Sequence, residues 1–133
     1  MLLRACIAFL LAVLLLTATA RSSQSDSGTA PEKVRITSGP TVEHTGAEDA
    51  IVAWSTNVSS GTQVMYGTDR AHLNQSAETP WGALTHRVTL KKLAPGTTYY
   101  YEVVSDQALG TGGKVESGVA QFTTKDKTQA AGR

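Results

Sequence analysis

Leu93-Ala94-Pro95-Gly96-Thr97-Thr98-Tyr99-Tyr100-Tyr101-Glu102-Val103 joins a tight turn to the start of an aromatic strand. Pro95 presets φ for the second residue of a turn, and Gly96 tolerates the positive φ that can follow. Tyr99 then stands where its hydroxyl reaches back to the backbone of the turn, the arrangement known as a tyrosine corner in Greek-key sandwiches. Past the corner, Tyr99, Tyr101 and Val103 alternate with their neighbours, so one face of this strand is expected to be buried.

Outward from the corner the same period of two recurs. Val34 and Ile36 open a first strand, which Ser38-Gly39-Pro40 interrupts and Val42 resumes. Ala50, Val52 and Trp54 make a second; Val64 and Tyr66, ended by Gly67, make a third. Val88 and Leu90 lead to Leu93 at the corner, and Ala120 and Phe122 mark the last strand. Helical spacing is not sustained anywhere after the first residues. The pattern predicts an all-β, immunoglobulin-like antiparallel sandwich of about seven strands. Trp54, Tyr99, Tyr101 and Phe122 should dominate its core, since each such ring removes ~150–250 Å² from water.

The flanks read differently. Arg4 precedes an apolar run from Ile7 to Leu16, followed by Ala18-Thr19-Ala20 and then polar residues. This is the pattern of a secretory signal peptide over residues 1–20, with cleavage expected after Ala20 and no membrane insertion thereafter. Residues 21–32 are small and polar and are expected to form a flexible tether, residues 33–125 the folded domain, and residues 126–133 a disordered tail. The leader carries the only cysteine, Cys6, so the exported chain has no disulfide and depends on its core. Without Arg4 the cationic side chains fall from 12 to 11, matching the 11 acidic ones. No basic stripe points to nucleic acid or to an anionic membrane surface. The expected location is secreted, periplasmic or at the cell surface.

The folded part resembles the fibronectin type III superfamily, and more closely the sandwich domain that precedes the catalytic domain of purple acid phosphatases. The resemblance rests on Ala50-Ile51-Val52-Ala53-Trp54-Ser55-Thr56, Val64-Met65-Tyr66-Gly67-Thr68, Thr85-His86-Arg87-Val88-Thr89-Leu90 and the corner. Together these span most of residues 34–124. It implies structural roles for Trp54, Tyr66, Leu93, Pro95, Gly96, Tyr99, Tyr101 and Phe122. It also implies a non-catalytic companion domain, because the phosphatase metals are held by the second domain of that family. None of that domain's Gly-Asp-x-x-Tyr, Asn-His or Gly-His-x-His motifs occurs here. No catalytic, cofactor or metal residue is therefore assigned.

His44, His72 and His86 lie far apart, with no second ligand at a metal-binding spacing. No Gly-x-Ser-x-Gly nucleophile elbow occurs, and Gly110, Gly112 and Gly113 lack the lysine and following helix of a phosphate loop. Two segments remain as candidates for binding. The glycine-rich hairpin Gln107–Gly118 carries Leu109, Lys114 and Glu116, although it can equally serve only to reverse the chain. Trp81, in Glu78-Thr79-Pro80-Trp81-Gly82-Ala83, is expected in a loop. There it is either a platform for a sugar or protein partner or a lid on the open end of the core, and average burial of large aromatics favours the lid. Asn57-Val58-Ser59 and Asn74-Gln75-Ser76 match the N-glycosylation pattern, both in expected loops.

The sequence thus predicts an exported interaction or spacer module that is not an enzyme and takes an unknown protein or carbohydrate partner. The alternatives are an accessory subunit of a separate phosphatase or other exported hydrolase, and a carbohydrate-binding module built on Trp81.

Overall fold

In a computed structural model, which describes residues 32–107 and 113–131, the alternating runs form β1 (Ile36–Thr45), β2 (Asp49–Gly67), β3 (Gln75–Lys91), β4 (Thr98–Asp106), β5 (Lys114–Glu116) and β6 (Ala120–Thr123). All pairings are antiparallel. β2 and β3 are one long ribbon, and each serves two layers. The first half of β2 lies between β1 and the second half of β3, with Val52 opposite both Val42 and Val88. Its second half lies between the first half of β3 and β4, with Val64 opposite Ala77 and Val103. β5 and β6 continue this second layer along the far edge of β4. Counting the two halves of β2 and of β3 separately, and β5 with β6 as one interrupted strand, recovers the seven strands of an immunoglobulin-like sandwich.

The ribbon changes layer at two irregularities. Between the pairs Ser55–Thr85 and Ser60–Ala83, residues 56–59 of β2 face Leu84 alone; between Ser60–Ala83 and Thr62–Thr79, Pro80, Trp81 and Gly82 face only Gly61. Such bulges bend a strand and increase its twist. Here they let both halves of β2 turn the same apolar alternation inward. Ala50, Val52, Trp54, Val64 and Tyr66 are all buried and pack in one cluster with Val88, Leu90, Tyr101, Val103 and Phe122.

The corner is built as its residues require. Gly96 takes φ 56°, Tyr99 is buried, and its hydroxyl accepts the Ala94 N–H at 2.9 Å. The Leu93 N–H donates to the Glu48 carbonyl, and Thr124 joins the corner to the last strand by donating to the Ala94 carbonyl at 2.6 Å. Tyr99 stacks on Phe122 with ring centroids 5.7 Å apart.

Four expectations need correction. Trp81 lies on β3 and not in a loop, because β3 starts at Gln75 and runs through the bulge. Asn57 lies within β2, its side chain bridging the entering segment by accepting the Arg35 N–H and donating to the Lys33 carbonyl, whereas exposed Asn74 stands just before β3. Lys114 and Glu116 lie on β5, a strand too short and with too little alternation, Val115 alone, to stand out in the sequence. The tail, expected to lack structure, forms one helical turn, α1 (Lys127–Ala130), closed by the Gln129 N–H to Asp126 and the Ala131 N–H to Lys127.

Candidate functional site

Two polar constellations stand apart from the apolar core, one sealed and one open. The sealed one is centred on His86, which is 1% exposed at the level where the ribbon changes layer. Trp54 stacks on the imidazole at 4.9 Å and donates its indole N–H to Ser105 Oγ at 2.9 Å. The Thr56 hydroxyl lies 2.8 Å from the Val58 carbonyl and 2.9 Å from His86 Nε2, and the Thr62 hydroxyl pairs with Nδ1, so both ring nitrogens are hydrogen-bonded to hydroxyls. Ser60 Oγ completes the group, 3.3 Å from Nε2.

A serine beside an imidazole invites comparison with a nucleophile and its base. The surroundings do not allow that chemistry. Ser60 and His86 are closed from solvent, no carboxylate orients the ring, and burial pushes the imidazole pKa down. The arrangement is a satisfied core network, and no buried side-chain polar atom among the described residues lacks a partner.

The open constellation is a cleft of about 420 Å³ on the outer face of the second layer. Gly61, Thr62 and Gln63 of β2 and Val104 of β4 form its floor, with Glu78, Thr79 and Trp81 of β3 on one side and Asp106 and Lys114 on the other. The bulge at residues 80–82, where Gly82 takes φ 107°, carries Trp81 out of the ladder and over this face. The indole N–H donates to the Asp106 carbonyl at 3.3 Å, and the ring edge lies beside Gly61, where an added Cβ would stand 3.3 Å from it. The ring is thus held in place while 52% exposed. The favoured lid reading is not what the structure shows: the ring rests on the outside of a layer whose inner face is already filled.

Val104 indicates how the cleft is built. It is only 7% exposed, yet it lies outside the central apolar cluster, because it alternates with inward-facing Val103. It forms part of the cleft floor. Lys114 is ion-paired with Glu116, which raises the ammonium pKa. Burial, and then Glu116, raise the pKa of neighbouring Glu102.

Among the sequence candidates, the fold brings Trp81 and Lys114 to one cleft and sets Glu116 beside it through the ion pair. Leu109 lies outside the described residues. Gln63, Glu78 and Asp106 were not legible as site residues, since only the register of β2 with β3 and β4 places them together. Gln107 ties this end to the entering chain: its amide donates to the Glu32 carbonyl and accepts the Val34 N–H. Among the described residues, no group of three or more His, Cys, Asp or Glu side chains could hold a metal ion.

Residues 31–124 match the family described as Purple acid Phosphatase, N-terminal domain. No curated protein matches the chain. Similar solved structures include the fibronectin type III domain of human fibronectin type III domain containing protein 3, at 19% identity, 78% coverage of this chain and 94% of that one, with a TM-score of 0.49. The sensor domain of an anti-sigma factor from Pseudobacteroides cellulosolvens shows 18% identity, covers 72% of this chain and 98% of that one, and has a TM-score of 0.47. A redesigned β-sandwich protein shows 22% identity, with 70% and 93% coverage and a TM-score of 0.47.

Proposed function

Since this chain belongs to the purple acid phosphatase N-terminal domain family, we propose that it is an exported, non-catalytic interaction or spacer module that binds its partner through the cleft beside Trp81. One observation carries this reading. A half-exposed tryptophan lines one cleft together with an apolar residue, Val104, that is buried away from the core. A tryptophan at a binding surface commonly supplies much of the binding energy. By contrast, the one serine and histidine pairing among the described residues that resembles reactive chemistry is closed from solvent.

The test uses the chain from Arg21 onward, supplied with iron, zinc or manganese and assayed on p-nitrophenyl phosphate. No hydrolysis above that of an equally purified blank is expected. Turnover that stays with the protein through successive purification steps overturns the non-catalytic reading.

The family match favours a second reading, in which the module is the accessory sandwich of a phosphatase carried on another chain. Phosphatase activity from the exported fraction should then be retained by the tagged protein and not by its Trp81→Ala variant.

A further inference from the structure

We propose that the cleft beside Trp81 is a subsite for an uncharged saccharide, an inference that rests on the binding role proposed for that cleft. The argument starts from the ring. Its one polar group is already engaged with the Asp106 carbonyl, so what it offers to a ligand is an apolar π face held at a fixed angle. A sugar ring presents an apolar face of axial C–H groups with hydroxyls around its rim. It needs a flat aromatic wall with short-range polar groups at its margin.

The cleft supplies both. Gln63 brings an amide, and Glu78 and Asp106 bring carboxylates, to the same cleft that Trp81 and Val104 line. Amides and carboxylates accept from, and amides also donate to, hydroxyl groups. A volume of about 420 Å³ lies within the range of small-molecule sites. Its open form suits a segment of a chain better than an enclosed small molecule.

Charge narrows the class further. Among the described residues, Lys114 is the only cation lining the cleft, and it is paired with Glu116, whereas Glu78 and Asp106 add negative charge. An anionic ligand, including a phosphate ester or an acidic polysaccharide, would meet repulsion without a free cation to offset it. A peptide strand is also disfavoured in the cleft, because the floor strands β2 and β4 are hydrogen-bonded to each other and offer no backbone edge.

The two tryptophans, Trp54 and Trp81, give two indole N–H resonances, one from the core and one from the cleft. The chain from Arg21 onward is titrated with cellohexaose, xylohexaose and chitohexaose in turn. At least one is expected to shift the Trp81 resonance saturably while leaving that of Trp54 in place. Trp81→Ala should weaken that binding at least about tenfold by calorimetry, and Glu78→Gln or Asp106→Asn should weaken it to a smaller extent. The native Trp54 resonance reports that each variant is folded, and Leu84→Ala, at an exposed residue of the same strand, serves as a surface control. Absence of any shift with all three oligosaccharides overturns the saccharide assignment, as does binding that Trp81→Ala leaves unchanged. Tighter binding of an acidic oligosaccharide or of an extended peptide overturns it as well. Phosphate-ester turnover or cleavage of the oligosaccharide overturns the non-catalytic reading instead, so the two failures are distinguishable.

Discussion

Trp54 and His86 show how single side chains set the properties of this core. Trp54 combines a large buried surface, a stack on an imidazole and a buried hydrogen bond to Ser105. Trp54→Ala should therefore destabilise the domain by ~3–5 kcal/mol. Urea unfolding followed by circular dichroism measures this against a total of about 5–15 kcal/mol for a domain. His86 makes the stability depend on pH. Burial holds its pKa below the ordinary value, so on acidification the unfolded chain takes up a proton first, near about pH 6.5. Stability from this residue is present above that pH and is lost as the pH falls from there toward the folded-state pKa. The urea midpoint should drop between about pH 7.5 and 5.5, and His86→Gln should lower it throughout while removing this part of the slope. The histidine was legible as a residue and its role was not. Its three hydroxyl partners, Thr56, Ser60 and Thr62, lie 24–30 positions away in the chain.

At the level of elements, the bulge at Pro80-Trp81-Gly82 is what converts an edge strand into a presenting surface. Proline and a glycine with positive φ lie between two stretches of regular pairing, and Trp81 leaves the ladder there. Open space surrounds a Cβ added at Gly82, with Ser59 Oγ 3.9 Å away, so replacement acts through the backbone conformation and not through a clash. Gly82→Ala should cost about 1–3 kcal/mol and shift the Trp81 indole resonance while sparing that of Trp54. A two-dimensional nitrogen-correlated spectrum and a urea curve check both parts. The proline and glycine punctuation of this segment is that of a turn, so its local sequence predicts a loop. Pairing with β2 on one side suffices to keep it extended, and the pairs that flank the bulge, Thr62–Thr79 and Ser60–Ala83, join residues 17 and 23 positions apart.

The whole domain depends on one apolar cluster shared by two layers, and residues 21–133 contain no cysteine that could form a covalent staple. Its thermal midpoint should be the same with and without dithiothreitol, and calorimetric and van't Hoff enthalpies should agree, as expected when a single core unfolds as a unit. Differential scanning calorimetry tests both. The alternation of Val52 with Trp54, of Val64 with Tyr66 and of Tyr99 with Tyr101 was enough to identify an immunoglobulin-like sandwich, because strand period and turn chemistry are local properties of neighbouring residues. The tyrosine corner was legible for the same reason, its partners Ala94 and Tyr99 being 5 residues apart. The cleft was not. Trp81 and Lys114 stood out as residue types, but Gln63, Glu78 and Asp106 join them only through strand register, and the outward turn of Trp81 follows from a bulge defined against β2. Sequence alone determined the architecture, since it is written in periods of two and in local turns. Tertiary structure alone decided which polar residues share the cleft and which lie sealed around His86, since both depend on distant strands meeting in one register.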